Sequence, residues 1–483
     1  MLLSEVLAGI DVKWNPAEDC TVGGIAYNSQ KVQKGWVFVC IRGFATDGHR
    51  YIGDALARGA AAVVVEDDSA EVGSAVKITA ADTRKALAVM GANWYRHPAK
   101  ELKIVGVTGT NGKTTVTTLI KQMLEFDGHK VGLIGTNGNM IGEEILPSER
   151  TTPESLELQE LFRSMADSGC DYVVMEVSSH SLVLSRVYEI PFAMGVFTNL
   201  TQDHLDFHIT MENYLKAKKL LFPMCSAAAV NTDDAAGREI AEEAVCPTVT
   251  YSIDAPSDCR AENVRISAKG VLFDAVYEGQ RYEARLAIPG RFSVYNALAA
   301  CTACLTLGVA PEKVFGALMV AKGVKGRAET VYTNTDYTVI IDYAHTPDGL
   351  ENIVETVCEF AVGRVITVFG CGGDRDAAKR PIMGEIAGRL SDYCIITSDN
   401  PRTEDPMSII LQIEEGMKKT DCAYEIIENR REAIRAALCM AQKDDCIILA
   451  GKGHETYQII GKEKRHFDER EVIQEILKGR NEQ

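Results

Sequence analysis

Short continuous apolar runs recur along the chain, and each ends in a polar or glycine-rich turn. The clearest are IVGVT (104–108), DYVVMEV (171–177), AMGVFTNL (193–200), TVIIDY (338–343), RVITVFG (364–370), YCIITSD (393–399) and CIILAG (446–451). Runs of this length without alternation suit strands buried on both faces, as in parallel sheets covered by helices. Helix-like stretches separate them, such as NALAACTACLTLG (296–308), whereas VRISAKGVLFDAVY (264–277) alternates like a half-buried antiparallel pair. The first hundred residues carry their own small α/β pattern: GWVFVCIRG (35–43), a helix-like YIGDALARGA (51–60), then AAVVVE (61–66). The pattern breaks at His97-Pro98 and changes again near residue 331. It predicts an α/β protein of three domains: a small N-terminal α/β domain over 1–98, a central parallel-sheet domain with a phosphate loop over 99–330, and a C-terminal Rossmann-like domain over 331–483.

Length agrees, since 483 residues at about 150 per domain give roughly three. With 46% hydrophobic and 25% charged residues the chain is an ordinary globular one. A net charge of −17 argues against a nucleic-acid or anionic-membrane binder, but local fields still permit phosphorylated small ligands. No apolar run is long enough to cross a membrane. The opening MLLSEVLAGIDVKW carries Glu5 and Asp11 and no basic leader, so neither a signal peptide nor export is expected. Fourteen scattered cysteines, several in apolar segments, suit buried thiols in a reducing cytoplasm; Cys301 and Cys304 fall in an apolar helical pattern and read as core.

The strongest chemical signal is VTGTNGKTT (107–115), between a strand and a helix. Glycines there let backbone N–H groups close around phosphate oxygens, and the helix N-terminus adds a favourable dipole. Lys113 would reach the terminal phosphates and Thr114 would hold Mg²⁺. The strict pattern has glycine where Val107 stands, so the loop is a variant built on Gly106, Gly109 and Gly112. Glu176, at the end of a strand, stands where an acid would face the metal from the other side. Asp203, His204, Asp206 and His208 cluster after another strand; carboxylate with imidazole suits a divalent cation, though the spacing fits no standard zinc site and equally suits a solvated loop.

In MENYLKAKKLLF, residues Met211, Tyr214, Leu215, Leu221 and Phe222 share one helical face with Lys218 at its centre, while Lys216 points away and Lys219 sits at the edge. A lysine so placed must snorkel, pair, or change chemistry, for instance to an anionic carbamate. In the third domain the strand ends read IDYAHTPDG (341–349), GCGGDRDAAKRP (370–381), SDNPRTEDP (398–406) and AGKGHETY (450–457). Ligands of open α/β sheets bind at such ends. Two arginines, Arg375 and Arg402, with Asp399, His454 and Glu455, suit a zwitterion: arginine forks grip a carboxylate and acids grip an ammonium.

Taken in order, TGTNGKTT (108–115), TTPE (151–154), MEVSSH (175–180), DHLDFH (203–208) with Lys218, YNALAA (295–300), DYAHTPDGLEN (342–352), GCGGDRD (370–376), DNPR (399–402) and GKGHET (451–456) resemble the Mur ligase family along essentially the whole chain. The resemblance implies an ATP-driven amide ligase of peptidoglycan precursor synthesis. It would join meso-diaminopimelate to the D-glutamyl γ-carboxylate of UDP-N-acetylmuramoyl-L-alanyl-D-glutamate through an acyl phosphate. It further implies that residues 1–98 bind the UDP moiety, 99–330 bind ATP and 331–483 bind the amino acid. Gly109, Thr110, Asn111, Gly112, Lys113, Thr114 and Thr115 match the ATP loop, and Asn296, Arg327 and Asp342 match positions that hold the nucleotide. Thr114, Glu176, His204 and Lys218 match the Mg²⁺ set, with Lys218 carboxylated by CO₂; Lys113, Glu176, His204 and Lys218 would be the catalytic group. Ser29, Thr151, Thr152, Ser178 and Arg186 match positions that bind the UDP-muramoyl dipeptide. Arg375, Asp399, Asn400, Pro401, Arg402, Gly451 and Glu455 match those that hold diaminopimelate, Arg402 clamping the distal carboxylate that lysine lacks. Asn28-Ser29-Gln30, Arg150 and Leu184 depart from common family residues without removing a catalytic group.

The resemblance also implies a cytoplasmic monomer whose partners are small molecules, with neither nucleic acid nor membrane insertion. Because an acyl phosphate hydrolyses readily, the third domain is expected to close on the second when substrates bind. The alternatives are a lysine-adding Mur ligase, a folylpolyglutamate-synthase-like ligase, and a nucleotide-binding scaffold without turnover. A phosphate-loop motor or kinase would leave the third domain's loops unexplained.

Overall fold

The computed structural model describes residues 1–43, 46–146 and 150–481. They form two compact units, residues 1–250 with 302–309 and residues 251–301 with 310–483.

The first unit holds two sheets. The N-terminal sheet runs in the order Val12–Lys13, Val76–Ala80, Ala62–Val65, Val37–Val39, Ile25–Ala26, parallel except for the first pair. The all-apolar runs VFV and AVVV are buried along their length, as expected of strands covered on both faces. The second sheet places Lys103–Thr108 at its centre, with Phe192–Phe197 on one side and Tyr172–Glu176 on the other, all parallel. Val131–Ile134 and Ala228–Asn231 extend it in parallel, and Asn139–Ile141 and Glu144–Leu146 add an antiparallel edge. The register that pairs Glu176 with Val107 brings the phosphate loop and the strand-end acid to one end of the sheet.

The second unit contains an antiparallel meander, Cys259–Ser267, Gly270–Tyr277 and Gln280–Leu286, which realises the alternation seen in the sequence. It also contains a six-stranded sheet in the order Glu329–Val331, Thr338–Asp342, Cys446–Ala450, Val365–Phe369, Tyr393–Ile396, Ala423–Ile426. Only its first strand is antiparallel. The three-domain α/β architecture expected from the sequence is therefore present, with a Rossmann-like C-terminal sheet. Helix Arg291–Thr306 buries both Cys301 and Cys304, so the CxxC is core as read.

Behind the six-stranded sheet lies a wholly buried ion pair. Arg430 donates to Glu469 Oε1 at 2.8 Å and to Ala450 O at 2.8 Å. Removing only the cation strands a buried carboxylate. Arg430→Met is therefore expected to destabilise the chain by about 3–5 kcal/mol, whereas Arg430→Met with Glu469→Met should recover most of that. Urea unfolding of the two variants checks it.

Candidate functional site

The phosphate loop leaves strand Lys103–Thr108 and enters helix Lys113–Phe126, with Gly112 at its N-cap at φ 86°. That left-handed conformation strains any residue with a Cβ. Gly109 is glycine for a second reason: a Cβ there would lie 1.8 Å from Thr198 Oγ1. The loop is braced from outside. Thr198 Oγ1 donates to Asn111 O at 2.6 Å, Thr110 N donates to Asn199 O at 2.9 Å, and Asn111 N donates to Asn199 Oδ1 at 2.9 Å. Lys113 Nζ folds back onto the loop, donating to Gly109 O at 2.9 Å and Thr110 O at 2.7 Å. This is a rigid anion cradle with one ammonium at its mouth. Thr114 and Thr115 are buried in the first turn of the helix.

Tyr214 connects this loop to the next helix. Its hydroxyl lies 3.3 Å from Thr110 Oγ1, and its ring lies 4.3 Å from Lys218 Nζ. Helix Met211–Lys219 buries Lys218 to 1% exposure, so the snorkelling alternative fails: the ammonium does not reach water. Lys216 instead pairs with Glu212 in the open, and Lys219 pairs with Glu239 and Glu243. Lys218 makes no salt bridge among the described residues. Its pKa is held well below the ordinary lysine value, first by burial and then by the charge of Lys113, with Asp203 and Asp234 opposing. A buried amine whose proton affinity is depressed, beside the charge of Lys113, is set up to react with an electrophile that would make it anionic. The site's chemistry therefore fits a CO₂-derived carbamate at this position.

His204 takes a left-handed φ of 53°, packs edge-on to His180 with ring centroids 4.8 Å apart, and sets Nε2 3.3 Å from Asp203 Oδ2. Burial lowers its pKa against the pull of Asp203, and Lys113 and Lys218 push in the same direction as burial, which favours the neutral imidazole that a metal ligand needs. His208 turns away to Ser179 Oγ at 2.9 Å, and Asp206 is exposed. The four side chains of DHLDFH thus do not converge, and among the described residues no group of three or more His, Cys, Asp or Glu is arranged to hold a metal. Glu176 is buried and accepts from Thr136 N at 2.8 Å and Thr136 Oγ1 at 3.2 Å, which turns its carboxylate toward the Gly135–Thr136 turn.

Thr151, Thr152, Ser178 and Arg186 do come together. Thr152 Oγ1 donates to Glu176 O at 2.8 Å and accepts from Ser178 N at 3.2 Å, and Thr151 Oγ1 lies 3.0 Å from Thr136 Oγ1. Arg186 Nη1 donates to Thr152 O at 3.1 Å. The residue sequence reasoning missed is Glu154. Buried at the start of helix Ser155–Asp167, it sits among three guanidinium groups: Arg150 at 2.8 Å, Arg186 at 2.9 Å and Arg84 at 3.3 Å. Its signal was present in TTPE, but Arg84 comes from the N-terminal α/β element, a partner no local pattern reveals. Ser29 is buried in a short 3₁₀ turn, Ser29–Lys31, capped by Asn28, and among the described residues no hydrogen bond joins it to this group.

In the second unit, Asp342 ends its strand half-buried, accepting from Ala328 N at 2.6 Å and Ala344 N at 2.8 Å; desolvation raises its pKa against the pull of Arg327. Arg327 stacks over Tyr343 at 5.1 Å, and Asn296 is buried in its helix. His454 is held neutral, its pKa lowered to about 4 by burial and then by Arg327. Asp399, Asn400 and Glu455 meet around Lys452, a residue that pattern reading passed over. Pro401 is buried beside them in the chain. A Cβ on Gly451 would lie 3.3 Å from Asp399 Oδ2, so glycine keeps that oxygen approachable. Arg402 donates through Nη1 to Gly373 O at 2.7 Å. Arg375 is exposed and, among the described residues, bonds its own turn, Nη1 to Asp374 O at 3.1 Å, though its stem and Arg402 both flank Gly372.

A braced phosphate loop beside a buried lysine, together with a separate zwitterion-type pocket at strand ends of a second sheet, defines a nucleotide-dependent enzyme that handles a small amino compound. Comparison with known proteins supplies the lineage. Residues 21–100 match the Mur ligase family catalytic domain, 107–304 the Mur ligase middle domain, and 326–453 the Mur ligase glutamate ligase domain. The chain belongs to the Mur ligase family. It is 51% identical over 480 residues, covering 99% of both chains, to the UDP-N-acetylmuramoyl-L-alanyl-D-glutamate–2,6-diaminopimelate ligase of Caldanaerobacter subterraneus subsp. tengcongensis. It is 50% identical over 459 residues, covering 95% of both, to ligase 1 of the same name from Clostridium acetobutylicum. A solved structure of a ligase with that name superposes with a TM-score of 0.72 at 31% identity, covering 100% of this chain and 99% of the other. No helix among the described residues is long and apolar enough to cross a membrane.

Proposed function

We propose that this chain is the ATP-dependent ligase that adds meso-diaminopimelate to the D-glutamyl γ-carboxylate of UDP-N-acetylmuramoyl-L-alanyl-D-glutamate, acting as a cytoplasmic monomer in peptidoglycan precursor synthesis. The observation that favours this amino acid is Arg402 beside the Asp399–Glu455 acid pair: a guanidinium for a carboxylate next to acids for an ammonium. The working division is 1–98 for the UDP moiety, 99–330 for ATP and 331–483 for the amino acid.

In this reading the N–H groups of 109–115 and Lys113 bind the ATP phosphates, and Asn296, Arg327 and Asp342 hold its nucleoside end. Thr114, Glu176, His204 and a carbamate on Lys218 would hold Mg²⁺, which when bound supplies charge neutralisation for phosphoryl transfer. Ser29, Thr151, Thr152, Ser178 and Arg186 orient the acceptor so that its γ-carboxylate attacks the γ-phosphate. Lys113 stabilises the charge that develops there. Arg375, Asp399, Asn400, Pro401, Arg402, Gly451 and Glu455 present the amine that then displaces phosphate from the acyl phosphate.

The test is phosphate release. It should require ATP, the UDP-muramoyl dipeptide and diaminopimelate together; release that ignores the dipeptide would contradict the proposal, and no release at all would favour the scaffold reading. Arg402→Ala is expected to lower kcat/KM for diaminopimelate by about 100-fold, because a desolvated carboxylate loses its charged partner. Its KM for ATP should be unchanged in the same assay.

A further inference from the structure

Lys452 is wholly buried, and its three N–H donors are all used: Asp399 Oδ1 at 3.3 Å, Asn400 Oδ1 at 3.2 Å and Glu455 Oε2 at 3.1 Å. Asn400 in turn donates through Nδ2 to the same Glu455 oxygen at 2.9 Å, and its Oδ1 accepts from Ile459 N at 2.9 Å. The two acids expected to grip an ammonium are thus already bridged by one from the protein. No hydrogen bond among the described residues reaches Asp399 Oδ2, the oxygen that faces Gly451.

The charges around this point can be counted. Asp399 and Glu455 carry two negative charges and Lys452 one positive. Behind them the Arg430–Glu469 pair is balanced. The Tyr457 ring closes another side, 5.8 Å from Lys452 Nζ. The acid cluster is left with one net negative charge, and Arg402 and Arg375 flank Gly372 as the cationic side. That is the complement of one ammonium and one carboxylate. Without Lys452 it would carry two negative charges and would suit a dication better than a zwitterion.

Resting on the function proposed above, we infer that Lys452 is a positioning residue that sets the specificity of the amino-acid pocket. It fixes Asp399, Asn400 and Glu455 in one geometry and trims their charge to match the zwitterionic end of a diamino dicarboxylic acid. L-lysine offers that end an ammonium but no carboxylate, so Arg402 would be left without a partner.

The full chain carrying Lys452→Met or Lys452→Gln tests this in steady-state ligation with meso-diaminopimelate and with L-lysine. Gln keeps a donor and the approximate volume should Met impair folding. The expected result is a rise of about 30-fold or more in KM for diaminopimelate, with KM for ATP and for the dipeptide within about twofold. The preference for diaminopimelate over lysine should also shrink by about tenfold or more. A KM for diaminopimelate and a preference over lysine equal to the parent's would overturn the inference. So would an equal loss in every kinetic constant with a lowered melting temperature, which marks a merely structural lysine. If the parent itself ligates neither amino acid, the proposed function has failed, and the inference falls with it.

Discussion

Replacing Lys218 by alanine is expected to cut kcat for ligation by about 1,000-fold while leaving KM for ATP within a few-fold. The size of the effect follows from where the amine sits. It is buried, its ring partner is Tyr214, and Lys113 depresses its affinity for a proton. As a protonated lysine it would repel Lys113 inside the phosphate site. As a carbamate it would turn that repulsion into attraction and give the cation of the phosphoryl-transfer step an anionic ligand. Lys218→Arg should fare no better than alanine, since a guanidinium keeps the charge and does not form the carbamate. The parent enzyme should lose activity in CO₂-depleted buffer and regain it with bicarbonate, whereas neither variant should respond. Kinetics in degassed and bicarbonate-supplemented buffer decide the matter. Full activity in Lys218→Arg would rule out the carbamate.

Lys113→Ala should have a comparable effect by a different route, lowering kcat by about 100- to 1,000-fold. Its Nζ donates to the carbonyls of Gly109 and Thr110, whereas Thr198 and Asn199 brace the loop through other atoms, so that bracing survives the truncation. Melting temperature should therefore stay near the parent's. What is lost is the mobile ammonium that can leave those carbonyls for the γ-phosphate as charge builds on it. A second consequence separates the two lysines. Without Lys113 the strongest like charge near Lys218 is gone, so Lys218 should hold its proton more tightly and take up CO₂ less readily. The bicarbonate concentration needed for half-maximal activity should accordingly rise in Lys113→Ala, measured on its residual turnover. An unchanged bicarbonate requirement would show that the two amines do not interact.

Most of the fold was legible because its strands are of the least ambiguous kind. Runs such as TVIID, VITVF and CIILA are apolar on both faces, and the structure buries their centres accordingly. Lys218 was legible as an anomaly, a lysine centred on an apolar stripe, but only the packing of Tyr214 and its neighbours decides that its head is buried as well as its stem. In DHLDFH clustering in sequence is not convergence in space: a short turn around His204 sends His208 inward to Ser179 and Asp206 outward. Glu154 and Lys452 escaped for a shared reason. Each has partners on segments distant in the chain, Arg84 and Arg186 for Glu154 and Asp399 for Lys452, and a pattern read along one segment carries no trace of those.

The central claim is tested most directly by competition. The protein is incubated with ATP, Mg²⁺, bicarbonate and the UDP-muramoyl dipeptide, with equal meso-diaminopimelate and L-lysine, and the product is weighed by mass spectrometry. The account predicts a product heavier than the dipeptide substrate by diaminopimelate less one water. A product carrying lysine, or none from a folded, ATP-binding sample, would contradict it.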